Sequence, residues 1–317
     1  GLRYAIANKS LSNSIDLNLR KSDLLKIRTG IRHTWHRYDL GGENININEV
    51  VLSGKLKTQK GIFNLDGQAE LGLIDVAGDL RLHGNIGFTT QHLLIDGGIK
   101  FYRYTPSLQH QKLYINEVQI WNNNFEKPFG TELSGSVIIP LLKLKGSVSQ
   151  LVETNTLYWD DLFKPQQLED VLSITRIELE QKLSLGILHL DSRLMYQLVS
   201  EKEIALPELL LNERLYVQGK IFKSNLELQL GLELSYIPDF TSKTYFPLTG
   251  AFGNTENVLS SYPLTNAFIN AKVSSFRVFF NFENINDFLI SQPYYQVAAY
   301  PQFDWNFRFG VRWILEN

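Results

Sequence analysis

Cysteine is absent from this 317-residue chain, methionine occurs once, and proline only ten times. Without thiolates there is no disulfide framework, no cysteine nucleophile and no zinc site built on sulfur. Charge of one sign is also missing: 31 Lys and Arg stand against 33 Asp and Glu, a formal net charge of -2. No basic field is present to hold a nucleic-acid backbone, so nucleic acid is not expected as a partner. Long apolar runs are lacking as well. The best are short pieces such as Ser136 to Leu142, well below the roughly 18 residues of a membrane-spanning helix. What the chain does have is 44% hydrophobic and 12% aromatic residues, distributed evenly enough to argue against disorder.

Alternation organises those residues. From Leu226 to Tyr236 every second residue is apolar (Leu226, Leu228, Leu230, Leu232, Leu234, Tyr236), with Glu227, Gln229, Gly231, Glu233 and Ser235 between them. Strand side chains alternate between faces, whereas a helix would smear this pattern around its circumference. The pattern recurs: Phe63, Leu65, Ala69, Leu71 and Leu73 oppose Asn64, Asp66, Gln68 and Glu70, and Leu80, Leu82, Ile86 and Phe88 oppose Asp79, Arg81, His83 and Asn85. Near residue 187 the phase slips by one, the mark of a tight turn between neighbouring strands.

These segments run about 9–13 residues, longer than the usual 5–6 and suited to crossing a bilayer while tilted. Connections alternate in length: long near 154–171, 199–212, 238–264 and 286–303, minimal at 187, 223–225 and 275. Treating 105–129 as one loop, with a small hairpin around Leu113 to Trp121, keeps that register. The reading is all-β: a single-domain transmembrane antiparallel up-and-down β-barrel of about 16 strands, two of them in 2–20, with short periplasmic turns and long extracellular loops. Aromatics near strand ends (Trp35, Tyr38, Tyr102, Tyr104, Trp159, Tyr196, Tyr236, Tyr300, Trp305, Trp313) are expected to form interfacial girdles.

On the polar face lie Arg28, Arg32, Lys55, Arg81, Lys100, Lys143, Lys145, Arg176 and Arg193, interleaved with Asp66, Glu70, Asp79, Asp96, Glu178 and Asp191. An arginine facing lipid at mid-membrane costs roughly 2–4 kcal/mol, which assigns these cations to the lumen as candidates for a charge filter. The same charges could instead bridge the interior of a closed barrel. Enzyme signatures are absent: there is no Gly-x-Ser-x-Gly elbow, Walker loop or His-Glu-x-x-His. His33 and His36 fall on opposite faces of one strand and cannot share a metal. His83 and His189 lie on the polar face, and the acidic pair Asp160-Asp161 in a loop is the one place where calcium is conceivable. No enzyme activity, cofactor or metal is expected.

The last strand carries the sharpest signal. Trp305, Phe307, Phe309, Val311, Trp313 and Leu315 form an unbroken apolar face, and Arg308, Gly310, Trp313 and Leu315 fit polar-x-Gly-x-x-aromatic-x-hydrophobic spacing. That spacing resembles the β-signal read by the barrel-assembly machinery. The stretch Tyr294 to Pro301 followed by Asn306 to Trp313 also resembles the close of β-barrel porins from Bacteroidota. So do Leu215 to Phe222, and Tyr262-Pro263 with Asn270 to Lys272 and Arg277 to Phe280, within the last ~110 residues. The resemblance implies an integral outer-membrane barrel of a Gram-negative bacterium, in contact with lipid and lipopolysaccharide. Its members are usually longer, so a further N-terminal portion is expected. Two functions follow: passive diffusion of small solutes through a charged lumen, or a closed accessory barrel in a larger secretion, assembly or nutrient-uptake complex. Fold does not choose between them.

Overall fold

In the computed structural model, the described residues are 7–22, 24–223, 225–290 and 293–313. Along the chain run β1 (Ala7–Ser22), β2 (Leu25–Asp39), β3 (Asn44–Lys60), β4 (Phe63–Ile74), β5 (Leu80–Thr89) and β6 (Leu94–Arg103). A single helical turn α1 (Leu108–Gln111) and a small hairpin, β7 (Lys112–Ile115) and β8 (Val118–Asn122), precede β9 (Phe129–Ile139) and β10 (Leu144–Thr154). A second hairpin, β11 (Leu157–Trp159) and β12 (Pro165–Gln167), leads to β13 (Leu172–Leu185), β14 (Leu188–Val199), β15 (Leu209–Ile221) and β16 (Leu226–Tyr236). Then come β17 (Phe240–Phe246) with β18 (Ala251–Leu259), β19 (Leu264–Val273), β20 (Phe276–Glu283), the pair β21 (Tyr295–Val297) and β22 (Tyr300–Pro301), and β23 (Asn306–Trp313).

Fifteen strands join in one sheet in the order β1-β2-β3-β4-β5-β6-β9-β10-β13-β14-β15-β16-β19-β20-β23. The expected sixteenth strand is not present among the described residues. The described part of 2–20 is one strand, because Leu11, Ile15, Leu17 and Leu19 alternate with Ser12, Ser14, Asp16 and Asn18 without a Gly or Pro to turn the chain. Nor is the sheet closed among the described residues. An all-antiparallel cylinder needs an even number of strands, and here β1 and β23 point the same way and do not pair.

The connections segregate by length. Short turns at 61–62, 186–187 and 274–275 lie at one end; long connections at 104–128, 155–171, 200–208, 237–263 and 284–305 lie at the other. At 186–187 only two residues join β13 to β14, and Gly186 takes φ +62° there, the left-handed conformation such a loop demands.

Register carries one apolar face across the sheet. Leu65 lies opposite Ile86, and Ile86 opposite Gly97; Val217, Leu230, Ile269, Phe280 and Phe309 follow one another from β15 to β23. This face is open to the surroundings: Ile15 is 77% exposed, Ile86 61% and Phe309 69%. So extended an apolar surface is foreign to a water-soluble monomer and matches a lipid-facing wall. Buried apolar side chains gather instead at the long-loop end, where Leu168, Leu172 and Ile174 pack with Leu151, Val199, Ile204 and Leu206.

Candidate functional site

The opposite face is a polar wall built from cross-strand charge pairs, the unit by which sheets place side chains side by side. Lys100 reaches Glu132 at 3.0 Å, Lys145 reaches Glu180 at 3.4 Å, and Arg193 sits 3.3 Å from Glu178. Arg28 pairs with Asp16 at 2.7 Å and Arg81 with Glu70 at 4.0 Å. Arg176 donates to the Gln197 carbonyl at 3.3 Å, and Lys143, in the turn before β10, donates to Ser184 Oγ at 3.3 Å. Arg32 and Lys55 have no ion pair among the described residues. The nine lumen candidates therefore share one wall but not one ring. Arg32 and Arg81 line a cavity of about 560 Å3 with Glu49, Glu70 and Asp79. Lys143, Lys145 and Arg193 line another of about 590 Å3 with Asp191, Arg214 and Glu233. Sequence reasoning missed Arg214, whose guanidinium lies 3.1 Å from Glu233 and 4.3 Å above the Phe268 ring.

The long connections interlock and fold onto this wall. Leu151, Ile174 and Val199 share one register row on the polar face, and the 155–171 and 200–208 connections pack against it through Leu168 and Leu206. Asp79 receives both Thr105 and Lys127, while Glu43 receives Lys112 and Tyr114. Those bonds hold the Glu43 carboxyl below the usual carboxylate range. The Phe163 and Phe246 rings stack at 4.5 Å, tying 155–171 to 237–263, and Asn254 donates to Glu203 O at 2.8 Å.

Gln197 anchors the 200–208 connection: its amide donates to Pro207 O at 2.7 Å while its carbonyl holds Arg176. It is 3% exposed. Gln197→Leu leaves both partners unpaired in a buried place, and is expected to cost about 1–3 kcal/mol locally. Faster protease cleavage near Glu201–Glu203, with the remaining strands still protected, is the readout.

An aromatic cluster joins two hairpins: His110 lies 5.1 Å from Trp159, which lies 5.9 Å from Trp121. Burial pushes the His110 imidazole below its ordinary value of 6.5. The folded cluster resists protonation, so its stability is complete above about pH 6.5 and falls as pH drops below that. Tryptophan emission is expected to shift on acidification from about pH 7 to 5, and His110→Gln to flatten that change.

Other sequence expectations divide. His33 and His36 do lie on opposite faces, with His36 3.8 Å from Glu49. His83 and His189 stand on different strands, and neither meets a carboxylate among the described residues; His189 stacks on Tyr216. The Asp160 carboxylate is occupied by Leu162 N, Lys164 N and Gln166 Nε2, so it shapes its own loop. No group of three His, Asp or Glu able to hold a metal ion occurs among the described residues. Trp35, Tyr196, Tyr236 and Trp313 share the apolar face, but Tyr38 and Tyr102 lie on the polar one, contrary to the girdle reading. Of the β-signal residues, Arg308 pairs with Glu283 at 3.0 Å, Gly310 faces Phe279 and Trp313 faces Phe276. Leu315 lies outside the described residues.

One large antiparallel sheet with a lipid-suited face, a charged face and loops at one end defines an outer-membrane-type β architecture. The family model described as "Putative porin" matches residues 5–315, and the chain belongs to that family. Its fold is similar to that of the FrpB iron transporter of Neisseria meningitidis (11% identity, TM-score 0.67, covering 98% of this chain and 55% of that one). It is likewise similar to the ferric enterobactin receptor of Pseudomonas aeruginosa (13%, TM-score 0.71, 97% and 54%) and the siderophore receptor PirA of Acinetobacter baumannii (7%, TM-score 0.68, 97% and 55%). The chain thus spans about half the length of these structures. No curated protein matches it significantly.

Proposed function

We propose that the protein is an integral outer-membrane β-barrel of a Gram-negative bacterium, one of the Bacteroidota on its sequence resemblance, through which small solutes diffuse passively. The observation that carries this reading is the polar wall: ion pairs run from strand to strand on one face of the fifteen-stranded sheet while its other face is apolar. Charges desolvated against lipid would be costly, whereas a water-filled lumen accommodates them. Membership of the porin family and likeness in fold to iron and siderophore transporters support transport as the class of activity. Outer-membrane lipid, lipopolysaccharide and the assembly machinery are the partners this implies.

One observation favours the second reading, a barrel held within a larger envelope complex. On the apolar face Gln181 lies opposite Ser192 and Ser192 opposite Glu213, with Ser192 Oγ donating to the Glu213 carboxylate at 2.5 Å. Leu179, Leu183, Leu190, Leu194, Leu211 and Leu215 flank these residues on the same strands. A carboxylate so placed is better satisfied by a protein neighbour than by lipid. Planar-bilayer conductance of the full-length protein separates the two. Discrete, salt-dependent steps establish an open pore. Silence from a demonstrably folded protein that co-purifies with other envelope proteins moves the assignment to the complex.

A further inference from the structure

Over most of the polar wall a cation faces a carboxylate. Glu180 lies between Lys145 and Arg193, and Arg214 between Asp191 and Glu233. At the short-turn end like charges also stand opposite one another in two places, although Lys57 faces Asp66 and Lys272 faces Glu227 on the other side. On β2 and β3, Lys26 is directly opposite Lys57, and one step along the same face Arg28 is opposite Lys55. On β19, β20 and β23, Lys272 is opposite Arg277, and Arg277 is opposite Arg312. All seven side chains are exposed. Among the described residues only Arg28 and Lys272 have a carboxylate within 4.0 Å, Asp16 and Glu227.

Like charges set directly across a strand pair destabilise it. Their repetition near both edges of one sheet, at the same end, stores repulsion that a bridging anion removes. Toward the long-loop end the same face carries Glu49 on β3, Glu153 on β10 and Glu283 on β20, and cations there meet carboxylates, as Arg308 meets Glu283. Cations set directly opposite cations are therefore concentrated on the wall at the turn end, in β2–β3 and β19–β20–β23.

We infer that the short-turn end of the wall is a binding collar for anionic solutes, those carrying two or more phosphate, sulfonate or carboxylate groups. Opposed ammonium and guanidinium groups hold such oxyanions by charge-assisted hydrogen bonds, and the arginines offer paired donors. As a statement about solute choice this rests on the pore reading; as a binding site it does not. These opposed cations also set ion preference in an open channel.

The test begins with the purified full-length protein in detergent micelles, titrated with a trisulfonated pyrene dye. Binding is expected, weakening at least about tenfold between roughly 50 and 500 mM KCl and by a similar factor in the K26Q/K57Q/R277Q/R312Q variant. The K202Q variant, in a loop, should bind as the unaltered protein does. If the quadruple variant does not fold, K26Q/K57Q alone carries the comparison. In bilayers under a KCl gradient, the reversal potential should lie toward the chloride equilibrium value and move toward zero in the variant. Absence of dye binding, or binding that the variant retains, overturns the collar whether or not the protein conducts. A conducting channel that prefers cations overturns it too. Dye binding without current upholds the collar and sinks the pore reading alone.

Discussion

Ile86→Arg is expected to lower the folded, membrane-inserted population by a factor of about 30 to several hundred, while Asn85→Arg, one residue away, leaves it within about twofold. Ile86 lies mid-strand on the apolar face, between Leu65 and Gly97, and is 61% exposed. An arginine there would meet hydrocarbon, at a cost of roughly 2–4 kcal/mol. Asn85 points the other way, opposite Asp66 and Gly98 on the charged wall. A guanidinium in its place gains a carboxylate neighbour. Leu230→Arg repeats the experiment at a distance, since Leu230 sits between Val217 and Ile269 on β15 and β19. The folded fraction is read as the heat-modifiable band on unboiled electrophoresis after refolding into vesicles. Equal behaviour of Ile86→Arg and Asn85→Arg would refute the face assignment on which every functional statement rests.

That assignment was legible in the sequence because a period of two needs no tertiary information. Leu226 to Tyr236 alternates without a break, and β16 occupies the same residues. The phase slip near residue 187 became the Gly186 turn, and the hairpin expected around Leu113 to Trp121 is β7 and β8. Parity alone would also have corrected the girdle: Tyr102 shares its phase with Lys100, so it faces the charged wall. Other features were out of reach. The β17–β18 hairpin pairs residues that do not alternate, across a bulge between Thr241 and Lys243. Ion partners depend on register rather than on spacing: Lys100 and Glu132 are 32 residues apart. For that reason the nine lumen cations could be named but not sorted into paired and unpaired. Lys26 and Lys57 went unremarked because nothing in either strand says the two stand face to face.

Gly310→Val is expected to reduce the yield of folded protein to a tenth or less, at about 1–3 kcal/mol or more of overpacking, and Phe279→Ala is expected to restore most of it. Gly310 lies in β23, the last strand of the sheet, directly opposite Phe279 of β20. A Cβ built on it would run into the Phe279 ring, as one on Gly130 would into the Tyr102 ring. The ring must leave or the strands must part. Among the described residues β23 pairs with β20 alone, so parting them releases an edge with unpaired backbone groups. The double substitution separates two accounts of the same glycine. If Gly310 is needed because an aromatic ring covers it, truncating the ring removes the conflict and Gly310→Val/Phe279→Ala folds. If Gly310 is needed because the assembly machinery reads it together with Arg308 and Trp313, the second substitution brings no recovery in cells, although refolding in vitro from denaturant succeeds. Running both assays on the four proteins of this cycle assigns the loss to packing within the sheet or to recognition before insertion.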